Sequence, residues 1–102
     1  MKVHTEAVQF KADRKLIEFI EKKLVKLSQY FDRIIDAQVT LKLENTGKVK
    51  DKIAEVRVKV PGDVLIAKNT KKTFEASIDE SVSAIKRQLK KHKDKKRVKR
   101  AA

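Results

Sequence analysis

Residues 35–60 read IDAQVTLKLENTGKVKDKIAEVRVKV, and the order of apolar and polar residues in this stretch decides the fold. Ile35, Ala37, Val39, Leu41 and Leu43 alternate with Asp36, Gln38, Thr40 and Lys42. Further on, Ala54, Val56, Val58 and Val60 alternate with Glu55, Arg57 and Lys59. Successive side chains of a strand point to opposite faces, so a period of two marks strands with one face buried and the other wet. Asn45-Thr46-Gly47-Lys48 supplies turn chemistry between them, which makes the two runs an antiparallel hairpin.

The pattern extends in both directions. Pro61-Gly62 predicts a tight turn, because Pro fixes φ at its first central position and Gly accepts positive φ at the second. Val64 to Ala67 then forms a short strand, and residues 70–73 read as a loop with Thr73 as a helix N-cap. Phe74, Ile78, Val82, Ile85 and Leu89 follow at steps of four, four, three and four, the spacing of one helical face. Upstream, Asp13 is a candidate N-cap for a helix whose apolar stripe is Leu16, Ile20, Leu24, Leu27 and Phe31. Residues 2–10, KVHTEAVQF, read as an N-terminal strand. The chain is therefore α+β in the order β-α-β-β-β-α, a four-stranded mixed sheet with both helices packed on one face and the other face left polar.

At 102 residues the chain holds one core, and with 40% apolar and 5% aromatic residues that core is thin and aliphatic. Lys and Arg number 27 against 14 Asp and Glu, a net charge of +13 that exceeds what solubility requires and implies a polyanionic partner. Residues 86–102, KRQLKKHKDKKRVKRAA, hold ten of the basic residues and one of the acidic ones. Leu89 carries the apolar register into this run, so its first part is helix, with Arg87 and Lys91 aimed away from the stripe, Lys90 beside them and Lys86 on the flank. The expected division is an ordered domain over 1–93 and a flexible basic tail over 94–102. On the first helix, Lys22 and Lys26 share an exposed face with Lys23 on the same flank, while Glu18 and Glu21 fall to the other side. Two such faces on helices sharing one side of a sheet would form one positive surface suited to closely spaced phosphates.

Other chemistries lack their residues. There is no cysteine, which excludes disulfides, thiolate zinc and a thiol nucleophile. Gly47 and Gly62 are the only glycines, too few for a phosphate-cradling loop. His4 and His92 have no spaced partners, so no catalytic or metal site and no cofactor is expected, and His92 reads as a polar residue on the helix surface. Asp79-Glu80 is explained by the dipole of the helix start. Phe10, Phe19, Phe31 and Phe74 fall on or near core positions, which leaves Tyr30 as the one aromatic available for stacking and speaks against sequence-specific base reading. No run approaches the roughly 18 apolar residues of a membrane span, so a cytoplasmic protein is the expectation.

Residues 26–34, KLSQYFDRI, and 87–95, RQLKKHKDK, closely resemble the two signature segments of bacterial ribosome hibernation-promoting factors, the ribosome-associated translation inhibitor family. FEASID at 74–79 and VLIA at 64–67 are similar to supporting segments of that family, in the same order along the chain. The resemblance implies a non-enzymatic factor that occupies the messenger and transfer RNA path of the small ribosomal subunit, blocks translation and preserves idle ribosomes in stress and stationary phase. Its ribosomal RNA contacts, carried over, fall on Lys23, Lys26, Arg87, Lys90, Lys91 and Lys93; Lys22 and Lys86 join them from the helical wheel. Phe74 stands where the family's usual residue is Tyr, and Lys71 and Lys72 make the preceding loop basic. The chain resembles the short type, without a domain that pairs ribosomes, and is expected to be monomeric off the ribosome. A different reading is a general double-stranded-RNA-binding module, since three strands followed by a helix preceded by Lys71 and Lys72 are similar to such domains.

Overall fold

The computed structural model describes the backbone of residues 2–46 and 49–101 and the side chains of 2–44 and 51–93. Its elements are β1 (Lys2–Ala7), α1 (Arg14–Tyr30), β2 (Asp36–Thr46), β3 (Val49–Val60), β4 (Asp63–Lys71) and α2 (Phe74–Ala101). The sheet order is β1-β2-β3-β4. β1 runs parallel to β2 through the α1 crossover, and the remaining neighbours are antiparallel. Inward residues of the three longer strands, among them Val39, Leu41, Val56, Val58 and Leu65, form one core with the stripes of both helices. Ile20 and Leu24 of α1 are completely buried, and each such side chain contributes roughly 1.5–3 kcal/mol relative to exposure.

Both helices start where their side chains cap them. Asp13 Oδ1 accepts from the Leu16 N–H at 2.8 Å, and Thr73 Oγ1 accepts from the Ala76 N–H at 3.1 Å. At the other end of α1 the Phe31 N–H donates to Leu27 O at 3.0 Å, which closes the last turn before the chain leaves for β2. The Pro61-Gly62 turn also forms as the residues require: Val60 pairs with Asp63 across it, and Gly62 takes φ 83.

Strand ends depart from the expectations. β1 stops at Ala7 rather than residue 10, because Gln9 adopts φ 63 and turns the chain. That turn lays the Phe10 ring on Phe74, with centroids 5.1 Å apart and the planes 10° from parallel. Asn45 and Thr46, expected in the turn, are strand residues paired with Lys50 and Val49; residues 47–48 lie outside the described residues. β4 continues through Lys71, where a loop was expected from residue 70. Its extension is polar on both faces and therefore silent to alternation: Thr70 pairs with Ile53, while the inward Asn69 donates from Nδ2 to Ser81 Oγ at 3.1 Å. Ile35 and Leu43, expected on the buried face, are half exposed: Ile35 lies before β2 begins, and the adjacent Ile34 takes the buried position instead. The outer face is also less uniformly polar than expected, with Val64 and Ile66 exposed beside Arg57, Lys59 and Lys68; β-branched residues suit extended backbone with or without burial.

α2 sits rotated relative to its apolar stripe. Phe74, Ile78, Ile85 and Leu89 are buried as expected, yet Ser77 and Ser81 are completely buried while Val82 is only partly covered. The two serines donate to sheet carbonyls, Ser77 Oγ to Lys52 O at 2.6 Å and Ser81 Oγ to Ala54 O at 3.2 Å. Small side chains that satisfy their own hydroxyls let the helix approach the sheet at positions a larger polar residue could not occupy. The rotation carries His92 inward: its side chain is 14% exposed, with Nδ1 4.0 Å from Asp63 Oδ2 and its ring edge-on to Phe31 at 6.3 Å. His92 is thus a continuation of the buried face rather than a surface residue, as its place three positions after Leu89 allows. The expected flexible tail over 94–102 falls on residues whose side chains are outside the described set.

Candidate nucleic-acid interface

Helical spacing and the α1–α2 contact together decide where the eight candidate cations stand. α1 offers Lys22 and Lys26 as exposed side chains and Lys23 as a partly covered one. α2 offers Lys86, Arg87, Lys90, Lys91 and Lys93, all exposed. The helices lie side by side and leave a shallow groove lined by Lys23, Lys26, Leu27, Tyr30, Asp79, Val82, Ser83 and Lys86. The groove therefore has an apolar floor, Leu27 and Val82, and a rim of ammonium groups drawn from both helices.

Lys23, Lys26 and Lys86 line this groove, and Lys93 reaches the Tyr30 ring at its edge. Lys23 Nζ forms an ion pair with Asp79 Oδ1 across the groove and lies 5.5 Å from the Phe19 ring centroid. Lys86 Nζ stands 4.9 Å from the centroid of Tyr30. Lys93 Nζ is 5.1 Å from the same ring and 5.3 Å from that of Phe31. These contacts are within the range in which a ring quadrupole attracts a cation. Lys26 completes the groove rim from α1.

The other four project from the outer surfaces of the helices. The burial of Ser77, Ser81 and His92 turns α2 so that Lys90, rather than Lys91, points most directly away from the core, with Arg87 close to it. A rise of about 1.5 Å per residue separates Arg87 from Lys91, and Lys22 from Lys26, by about 6 Å along each axis. Every second charge on a strand of duplex nucleic acid is about 7 Å along its axis. Such an array can neutralise several neighbouring phosphates at once. Glu18 and Glu21 border the same hollow as Lys22, Lys23 and Lys26, and Glu18 pairs with Arg14 at 3.3 Å.

The opposite face of the molecule is different in kind. Arg57, Lys59 and Lys68 on the outer sheet surface are interspersed with Asp36, Glu55 and Glu6, which the strand registers bring into the same rows. The positive excess of the described side chains is thus concentrated on the helical side.

Sequence reasoning missed the role of Asp79, which spacing could have revealed, since it lies seven residues before Lys86 and hence on the same flank of α2. It identified Tyr30 as an available aromatic but could not place two lysines on its ring. Among the described residues, no group of three or more His, Cys, Asp or Glu is arranged to hold a metal ion, and no helix is long and apolar enough to cross a membrane.

Comparison with known proteins points in one direction. Residues 3–97 match the family described as sigma 54 modulation protein / S30EA ribosomal protein. The ribosome hibernation promoting factor of Pseudomonas putida is 30% identical over 95 residues, covering 93% of this chain and 89% of that one. The protein of the same name from Escherichia coli K12 is 39% identical over 80 residues, covering 78% of this chain and 80% of its own. Among solved structures, a ribosomal subunit interface protein from Coxiella burnetii superposes with a TM-score of 0.81 at 23% identity, over 92% of this chain and 99% of that one. The N-terminal domain of Thermus thermophilus Protein Y superposes at 0.72 with 24% identity, over 90% of this chain and 99% of that one. At these identities the two superpositions speak for the fold.

Proposed function

The chain belongs to the sigma 54 modulation protein / S30EA ribosomal protein family, and from that membership we propose that it is a non-enzymatic ribosome hibernation factor. It docks its helical face on the RNA of the small ribosomal subunit, occupies the path of messenger and transfer RNA, and so inhibits translation while preserving idle ribosomes in the cytoplasm. The observation that carries this reading is the asymmetry of charge: cations from two helices converge around one groove, while the sheet behind them is mixed in sign. Lys22, Lys26, Lys86, Arg87, Lys90, Lys91 and Lys93 are the phosphate contacts, with Lys23 held by Asp79 at their edge. The basic segment 94–102 adds a diffuse, salt-sensitive attraction. Off the ribosome the protein is a monomer.

Co-sedimentation with purified small subunits at physiological ionic strength tests the docking, and competition with messenger and transfer RNA tests the occupancy. Protein left in the supernatant at micromolar subunit concentration would end this reading.

One feature favours a second reading: β2, β3 and β4 form an antiparallel sheet followed by α2, with Lys71 and Lys72 at the junction. A general duplex-RNA module would bind arbitrary RNA duplexes tightly, in proportion to length, and show no preference for ribosomal subunits.

A further inference from the structure

The contacts of Tyr30 assign it a part in the basic surface that its lack of charge conceals. We propose that Tyr30 is a positioning residue for RNA binding: its ring holds the ammonium groups of Lys86 and Lys93 in the orientation that phosphates require. This rests on the reading of the helical face as the RNA-binding face.

Tyr30 is the last residue of α1 and is 37% exposed. Two lysines of α2, seven residues apart and therefore on one flank, converge on its ring at 4.9 and 5.1 Å. Lys93 is held in the corner between two rings, with Phe31 at 5.3 Å. Two like charges would otherwise repel and spread, and each lysine has a long stem with many rotamers. The negative face of the ring attracts both, so the ammonium groups are gathered before a ligand arrives. Ordering flexible side chains is a cost that binding normally bears, and here part of that ordering is built into the free protein.

The position of the ring explains why it can do this. α1 ends at Tyr30, and the Phe31 N–H that closes its last turn sends the next ring into the core. The adjacent pair Tyr30-Phe31 thus divides its labour: Phe31 anchors the end of α1, and Tyr30 presents its ring to the cations of α2. The hydroxyl has no part in this, whereas the aromatic face is essential.

The test uses the full chain with purified small ribosomal subunits as the probe. Tyr30→Phe keeps the ring and binds within about twofold of the unmodified protein, whereas Tyr30→Leu keeps apolar volume, loses the ring and binds about three- to tenfold more weakly. In Lys86→Ala/Lys93→Ala protein, adding Tyr30→Leu has no further effect, because the groups through which the ring acts are gone. A readout independent of binding is the proton NMR of the free protein: the ε-methylene signals of Lys86 and Lys93 are shifted upfield by the ring in the unmodified and Tyr30→Phe proteins and return to ordinary lysine positions in Tyr30→Leu. Unshifted lysines in the unmodified protein would overturn the proposal. So would an equal loss from Tyr30→Leu with and without the two lysines, which would mean that the ring touches RNA itself. Failure of the unmodified protein to bind subunits at all would instead remove the reading on which the proposal rests, leaving the NMR result to stand alone.

Discussion

Replacing Arg87, Lys90 and Lys91 together by Ala removes three exposed cations of the helical face, none of which is within ion-pair distance of an acid among the described residues. If each neutralises one phosphate, the slope of log K against log salt falls in magnitude by about 0.7–0.9 per residue, or about 2.4 in all. Acting over the roughly sevenfold range between 0.15 M and 1 M salt, a slope change of that size is a loss of about a hundredfold in affinity at physiological salt. The control is Arg57→Ala/Lys59→Ala/Lys68→Ala, which lowers net charge equally on the outer sheet face. Those positions alternate with the buried Val56, Val58 and Ala67, so their side chains point away from the helices. Charges more than about 8 Å from the ligand are largely screened at physiological salt, and the control should change the slope by less than about 1. Fluorescently labelled protein titrated with small subunits across a salt series measures both quantities. Equal slopes for the two triple variants would refute the reasoning, since affinity would then follow net charge and not the helical face.

Three further outcomes follow from particular contacts. Asp79→Asn releases Lys23 and should raise affinity for small subunits about fivefold at physiological salt, the worth of one added phosphate contact; because the pair is half exposed, melting should show a stability change below about 1 kcal/mol. Ser81→Ala strips the partner from both Ala54 O and Asn69 Nδ2; it should cost about 1–3 kcal/mol, read by calorimetry as a fall of about 4–8 °C per kcal/mol. Gly62→Ala meets no atom within 4 Å, yet its φ of +83 is unfavourable for a side chain. Urea unfolding should report a loss of about 1–2 kcal/mol from backbone strain alone.

The parts of the fold that were legible before the structure are those where one face of an element is apolar and the other polar. The alternation of Val39, Leu41, Val56 and Val58 marked the hairpin, and Leu16, Ile20, Leu24 and Leu27 marked α1, because burial on one side imposes a period. Capping was equally local: Asp13 and Thr73 stand three positions before the amides they satisfy. Illegible parts are those where polarity and burial part company. Asn69 and Ser81 are polar residues inside, joined by a hydrogen bond across twelve positions, and no pattern in either segment announces the other. The rotation of α2 follows from them, and with it the inward turn of His92.

The candidate surface divides in the same way. Lys22, Lys23, Lys26, Lys86, Arg87, Lys90, Lys91 and Lys93 could be nominated from the sequence, since charge and helical register are written in consecutive residues. By itself the sequence also determined the order of elements, the two apolar stripes and the concentration of charge at the C-terminal end, all consequences of short-range spacing. Only the tertiary structure decided that Asp79 holds Lys23, and that Lys86 and Lys93 converge on Tyr30. Those partners sit on different helices, more than fifty residues apart. Their meeting depends on the packing of α1 against α2 over a shared sheet, a long-range constraint that no local periodicity encodes.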